Sequence, residues 1–159
     1  MFTEERFTTL AKRYMDMIFR LAFSYLKNAP DADDITQNVL LSLYRTNKTF
    51  ESEAHIKNWL IRVTVNECKN ALRSPWRRTE DLEEYAGCLS FQQAGDGELF
   101  RQIMALDVKY RAVIVLYYYE GYSIEEMAHI LNIPKATAGT RLARARKNLR
   151  ERMEAKDYD

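Results

Sequence analysis

The side chains best suited to act on another molecule lie near the C-terminus, in EGYSIEEMAHILNIPKATAGTRLARARKNLR, residues 120–150. From Lys135 to Arg150 the chain carries six cations, Lys135, Arg141, Arg144, Arg146, Lys147 and Arg150, and no acid. On a helix such a stripe attracts phosphate. A helix laid in the major groove presents its early residues to base edges and its later ones to the backbone. That makes Lys135, Thr137, Thr140 and Arg141 candidate base readers, Arg144 a residue serving both roles and Lys147 a phosphate contact. The plain alternative is a solvated bundle helix. Little else offers chemistry. His55 and His129 lack metal-ligand spacing, Cys68 and Cys88 are too isolated for a zinc site or a disulfide framework, and the five glycines form no phosphate-cradling loop. With no nucleophile and base in any recognisable arrangement, neither catalysis, a cofactor nor a metal is expected.

Positioning that stripe requires a helix-turn-helix, and its parts are legible. Gly121 takes the left-handed conformation that ends an apolar helix, and Ser123 with Glu126 forms a capping box for a helix beginning at Ile124. Met127, Ala128 and Leu131 share one face, Asn132 tolerates the turn, and Ile133 anchors it inward. Pro134 suits the first turn of the second helix. Along that helix Ala138, Leu142, Ala145 and Leu149 keep apolar spacing while the cations point elsewhere.

The chain has 159 residues, room for one average domain or two small ones. Its net charge of +1 hides an uneven layout: residues 1–73 hold 11 basic and 9 acidic groups, residues 74–98 hold 2 and 6, and residues 99–159 hold 11 and 8. The acidic middle, opened by Ser74 and Pro75 and containing Gly87, Gly95 and Gly97, has a linker's composition. Two helical domains, 1–73 and 99–159, are therefore expected on either side of a linker at 74–98. Apolar runs are too short to span a membrane and no signal-peptide pattern opens the chain, which predicts a soluble, cytoplasmic protein without membrane insertion.

In the first domain Phe7, Leu10, Tyr14, Ile18, Leu21 and Tyr25 step by three and four, predicting a long helix from near Thr3 to before Pro30. A second helix is expected from about Asp31, with Asp31, Asp33 and Asp34 in its first turn and Ile35, Val39 and Leu43 inward. Asp31, Asp34, Gln37 and Leu41 fall on one side of it, a surface with a negative end and an apolar end that suits a basic partner helix. A third helix is predicted over residues 53–73 with Ile56, Leu60 and Val63 inward. Opposite them runs a polar and cationic stripe, Arg62, Asn66, Lys69, Asn70 and Arg73. Asparagine pairs bidentately with adenine, and the cations suit phosphates. Trp59 reads equally as a stacking wedge or as core. No segment alternates like a strand, so the fold class is all-α.

Three stretches together carry a resemblance to the extracytoplasmic-function sigma factors, compact bacterial transcription initiation factors made of sigma domain 2, a linker and sigma domain 4. DADDITQNVLLSLY, from Asp31 to Tyr44, is similar to the family's segment that docks on the clamp helices of RNA polymerase. The resemblance implies polymerase binding by Asp31, Asp34, Gln37, Asn38 and Leu41. NWLIRVTVNECKNALR, from Asn58 to Arg73, resembles the part that engages the minus-10 element, implying DNA contacts by Trp59, Arg62, Asn66, Lys69, Asn70 and Arg73. The segment from Phe50 to Lys57 then corresponds to the loop that captures an unstacked base. Residues 106–149 resemble domain 4, which reads the minus-35 element.

Departures from the family pattern are also visible. Asn38 stands where Glu is usual, Asn70 where Asp is usual, Asp107 where Pro commonly opens a helix, and Trp59 is followed by Leu60 where housekeeping relatives have a second tryptophan. Gly139 replaces a cation, at about 1 kcal/mol of helix stability relative to alanine, and offers close backbone approach to DNA in return. The implied function is a factor that binds core RNA polymerase, directs it to a two-part promoter and helps open the DNA, with an anti-sigma factor as a further partner. The alternatives are a stand-alone helix-turn-helix regulator acting without polymerase, and a helical module that binds only protein.

Overall fold

In the computed structural model, residues 2–73 and 97–157 are described, with backbone alone for residues 156 and 157. The expected linker therefore lies outside the described residues except for Gly97 and Glu98, which already belong to a helix. The chain divides into two compact units, Met1–Glu80 and Asp81–Asp159. Among the described residues all regular structure is helical, as the sequence pattern predicts.

The first unit is three helices that all touch one another. Helix α1, Glu4–Leu26, starts on Thr3, whose hydroxyl accepts the Arg6 amide, and stops at Lys27 in the left-handed conformation (φ 55°). Helix α2, Ala29–Arg45, begins two residues before the expected Asp31 because buried Asn28 caps it, accepting the Asp31 amide at 2.8 Å, and Pro30 fits the first turn. Of the three aspartates only Asp31 consequently lies in that turn. Helix α3, Glu53–Leu72, is capped by Ser52, and an exposed ion pair between Arg13 and Glu53 joins its start to α1.

The core is built from Leu10, Ile18, Leu21, Phe23 and Leu26 of α1, Val39 and Leu43 of α2, and Leu60, Ile61 and Cys68 of α3, all without solvent exposure. The predicted inward face of α3 needs a correction: Val63 is half-buried, whereas Ile61, Thr64, Val65 and Cys68 are buried. Both α1 and α2 pack on α3, so its covered stripe is wider than one column of residues and turned toward Ile61 and Val65. Buried Thr36 and Thr64 hydroxyls donate to the Ala32 and Leu60 carbonyls, so neither leaves an unpaired polar group.

The second unit comprises α4, Gly97–Met104, α5, Val108–Ile114, a π-helical turn over Val115–Tyr119, α6, Ile124–Leu131, and α7, Lys135–Asp157. Helices α4, α5 and α6 all pack on α7. Phe100, Ile103, Met104, Val113, Leu116, Met127, Ala138 and Leu142 form the centre of this second core.

Because the units have separate cores, damage to one should stay there. Leu60→Ala is expected to cost about 2–5 kcal/mol in the first unit. Hydrogen exchange under native conditions should show faster exchange of α1–α3 amides and unchanged protection of α5–α7; uniform loss across both would contradict independent cores.

Candidate nucleic-acid interface

The corner that aims α7 is set by a few backbone angles. The apolar helix α5 widens into the π turn, where the Glu120 amide bonds the Val115 carbonyl at 3.1 Å. The chain then reverses at Gly121 (φ 74°), and the Tyr122 amide reaches back to the Leu116 carbonyl at 3.0 Å. A positive φ costs glycine nothing and an L-residue about 1–2 kcal/mol. The capping box forms in full: the Glu126 amide donates to Ser123 Oγ at 3.1 Å and the Ser123 amide to Glu126 Oε1 at 3.0 Å. Helix α6 ends on left-handed Asn132 (φ 57°), with the Ile133 amide bonded to the Ala128 carbonyl.

Helix α7 opens at Lys135, with the Pro134 carbonyl accepting the Ala138 amide at 3.0 Å, so Pro134 stands just before the helix rather than within its first turn. Ala138, Leu142 and Ala145 are buried; Leu149 and Ile133 are only half-buried. The helix also runs on to Asp157, so Glu151 and Glu154 follow the acid-free stretch.

This burial fixes where the predicted contacts lie. Lys135, Thr140, Arg144 and Lys147 are exposed, Thr137 and Arg141 half-buried. Thr140, Arg144 and Lys147 form one column and Thr137, Arg141 and Arg144 the adjoining one, both away from the buried stripe. Gly139 lies on a flank: a Cβ there would meet only Ile124 Cγ2, at 3.9 Å. Its missing side chain is thus directed along α6, and nothing in the fold demands its absence.

Arg146 stands apart from the other cations. Its Nε donates to the Tyr118 hydroxyl at 2.6 Å, and its guanidinium lies 4.9 Å from the Tyr117 ring centre and 5.5 Å from that of Tyr118. The Tyr118 hydrogen bond holds its pKa above the ordinary arginine value, against an opposing effect of burial. Sequence spacing gave no sign of this contact, since the partners are 28 residues apart.

In the first unit Arg62, Asn66, Lys69, Asn70 and Arg73 are all exposed along α3, as their spacing predicts. Trp59, half-buried, is neither isolated wedge nor core. Its ring stands edge-on to Phe50 at 5.5 Å, and Phe50 in turn stacks on Phe2 at 5.9 Å and meets His55 edge-on at 5.2 Å. The Glu51 amide donates to His55 Nδ1 at 3.1 Å, pinning the loop before α3. Phe2, Arg6, Lys48, Phe50, Glu51 and Ser52 border an open groove of about 290 Å³ there. Phe2 was not foreseen, because it comes from the opposite end of the helical unit's sequence.

On α2, Asp34, Gln37, Asn38 and Leu41 are exposed, while Asp31 is half-buried beside the helix start. Leu41 and Tyr44 are 42% and 48% exposed, an apolar pair one turn apart. Tyr44, braced edge-on against Phe7 at 5.2 Å, extends that face beyond the residues predicted.

Two family models match the chain: Sigma-70 region 2 over residues 10–78 and Sigma-70, region 4 over residues 96–149. It is 33% identical over 147 residues to the ECF RNA polymerase sigma factor SigM of Mycobacterium tuberculosis, covering 90% of this chain and 74% of that one. It is 30% identical over 168 residues to SigW of Bacillus subtilis, covering 94% and 90%. The chain belongs to the extracytoplasmic-function sigma factors. The fold agrees with that of the sigma factor RpoE solved with the anti-sigma factor NepR from Bartonella quintana, at a TM-score of 0.71 and 19% identity over 94% of this chain and 98% of that one. CnrH, solved with the cytosolic domain of CnrY, gives 0.70 and 24% over 96% and 90%. As a sigma factor the chain serves bacterial transcription initiation, binding core RNA polymerase and promoter DNA; a regulator independent of polymerase is not favoured. No described helix is long and apolar enough to cross a membrane.

The open flank at Gly139 has a direct consequence for stability. Gly139→Ala places its methyl at ordinary contact distance in a helix of normal φ and should stabilise the second unit by about 0.5–1 kcal/mol. Chemical denaturation measures this; destabilisation would show that the glycine is required by packing.

Proposed function

We propose that this sigma factor divides its work between three exposed faces. The observation that carries this is the orientation of α7: with Ala138, Leu142 and Ala145 buried, Thr140, Arg144 and Lys147 turn outward on a surface without acids from Lys135 to Arg150. Lys135, Thr137, Thr140 and Arg141 read bases of the minus-35 element, Arg144 serves bases and backbone, and Lys147 holds a phosphate. The α3 stripe of Arg62, Asn66, Lys69, Asn70 and Arg73 follows the minus-10 strand, with the Trp59 and Phe50 rings and the neighbouring groove suited to an extruded base. The face of Asp34, Gln37, Asn38 and Leu41, with Asp31 at its edge, docks on a basic helix of core polymerase. The polymerase supplies the catalysis, so the chain needs none of its own, and it works in the cytoplasm, where polymerase and chromosome are. An anti-sigma factor is the expected second protein partner, supported by the related RpoE having been solved with NepR.

Docking is tested at Asp34, which is exposed and lies beyond the first turn of α2. Asp34→Lys should weaken assembly with core polymerase at least about tenfold, since like charges then face each other, with helix content unchanged by circular dichroism. Undiminished assembly would remove this face from the interface.

Base reading separates from phosphate holding by its sequence dependence. Arg141→Ala in the holoenzyme should cost about 1–3 kcal/mol on a matched minus-35 element and little on scrambled DNA, whereas Lys147→Ala should weaken both alike and lower the salt slope by about one. Equal losses on both DNAs for Arg141→Ala would make α7 an electrostatic clamp without readout.

A further inference from the structure

The contact between Arg146 and the two tyrosines of the π turn has no role in the faces assigned above. A π turn inserts one residue into a helix and is often kept where it aims a side chain. Here it places Tyr117 and Tyr118 edge to face at 5.0 Å, with Tyr118 still 55% exposed. Arg146 lies across both rings and gives its Nε hydrogen to the Tyr118 hydroxyl. That leaves hydrogens on the terminal amino groups of the guanidinium, which lie beside Tyr117 and suit phosphate oxygens. Among the described residues no carboxylate pairs with Arg146, and the next acids on α7, Glu151 and Glu154, come more than one turn later. On the same flank of α7 Ala143, one turn earlier, is small and exposed, whereas Gly139, two turns earlier, faces Ile124 of α6, so Arg146 is open to solvent on the Ala143 side.

From this geometry we infer that Arg146 is a pre-oriented phosphate anchor for promoter DNA, with Tyr117 and Tyr118 as the shelf that holds it. The inference rests on the reading of α7 as the promoter-facing helix. A free arginine must give up several rotors when it binds. One already held at Nε and stacked on two rings gives up fewer, so the shelf strengthens binding without adding charge. DNA is favoured over an acidic polypeptide because exposed Arg150, one turn later on the same flank, adds a second cation, in a stretch from Lys135 to Arg150 that holds no acid. The π turn then ties the corner before α6 to the middle of the recognition helix.

The test is binding of the holoenzyme to matched and scrambled promoter DNA across a salt series, with Arg146→Ala, Tyr118→Phe and, as a control, Lys147→Ala. Arg146→Ala should weaken both DNAs alike and lower the salt slope by about 0.9, the counterion release of one phosphate. Tyr118→Phe keeps the charge and the ring but removes the acceptor. It should weaken binding by about two- to tenfold with the slope unchanged. An unchanged slope for Arg146→Ala beside a lowered slope for Lys147→Ala overturns the anchor and leaves α7 on DNA. Unchanged slopes for both variants overturn the placement of α7 as well. A lower melting temperature for Arg146→Ala and Tyr118→Phe alike, with wild-type slopes, makes the contact a structural tie. Lost affinity for core polymerase with intact DNA binding assigns Arg146 to an acidic protein surface.

Discussion

Burial of a single apolar stripe sets the rotation of α7 about its axis, and every functional assignment on that helix follows from the rotation. Ala138 and Ala145 have no solvent exposure and Leu142 has 1%. The two alanines matter for their size: α5 and α6 both pack on α7, and small side chains let the backbones approach closely. A long hydrophobic side chain at either position would push the helices apart or turn α7, and each cation would turn with it. The apolar contact supplies the aim of the cations.

The same logic governs the first unit. Helix α3 is gripped by both α1 and α2, so one wide face is buried and the opposite face, from Arg62 to Arg73, is left to solvent. The loop before α3 is held by the Phe2, Phe50, His55 and Trp59 rings and by the bond from the Glu51 amide to His55. Aromatic packing of this kind keeps a loop ordered at a surface, where backbone amides would otherwise be paid for by water alone. The groove beside these rings is thereby preformed.

Charge is distributed in keeping with that division. The chain as a whole is nearly neutral, with 24 basic and 23 acidic residues, yet the recognition helix concentrates cations and the exposed end of α2 concentrates aspartates. A protein that binds both DNA and another protein can carry opposite fields on separate faces with little net charge. Net charge alone would have hidden both.

What the sequence determined by itself was everything written within about four residues. Thr3, Asn28, Ser52 and the Ser123 and Glu126 pair start helices because a side chain reaches an amide three residues on. Gly121 and Asn132 turn left-handed because their local sterics allow it. Helical periodicity then placed most of the core and the exposed α3 and α7 stripes, and three sequence stretches carried the resemblance to the family. The tertiary structure decided the rest: that Val63 yields the inward face to Ile61 and Val65, that Gly139 faces Ile124, and that Phe2 joins Phe50 beside Trp59. Only the folded chain brings Arg146 onto Tyr117 and Tyr118. Periodicity assigns a residue to a side of its own helix, but which neighbour covers that side depends on packing between elements distant in sequence, and no local spacing encodes it.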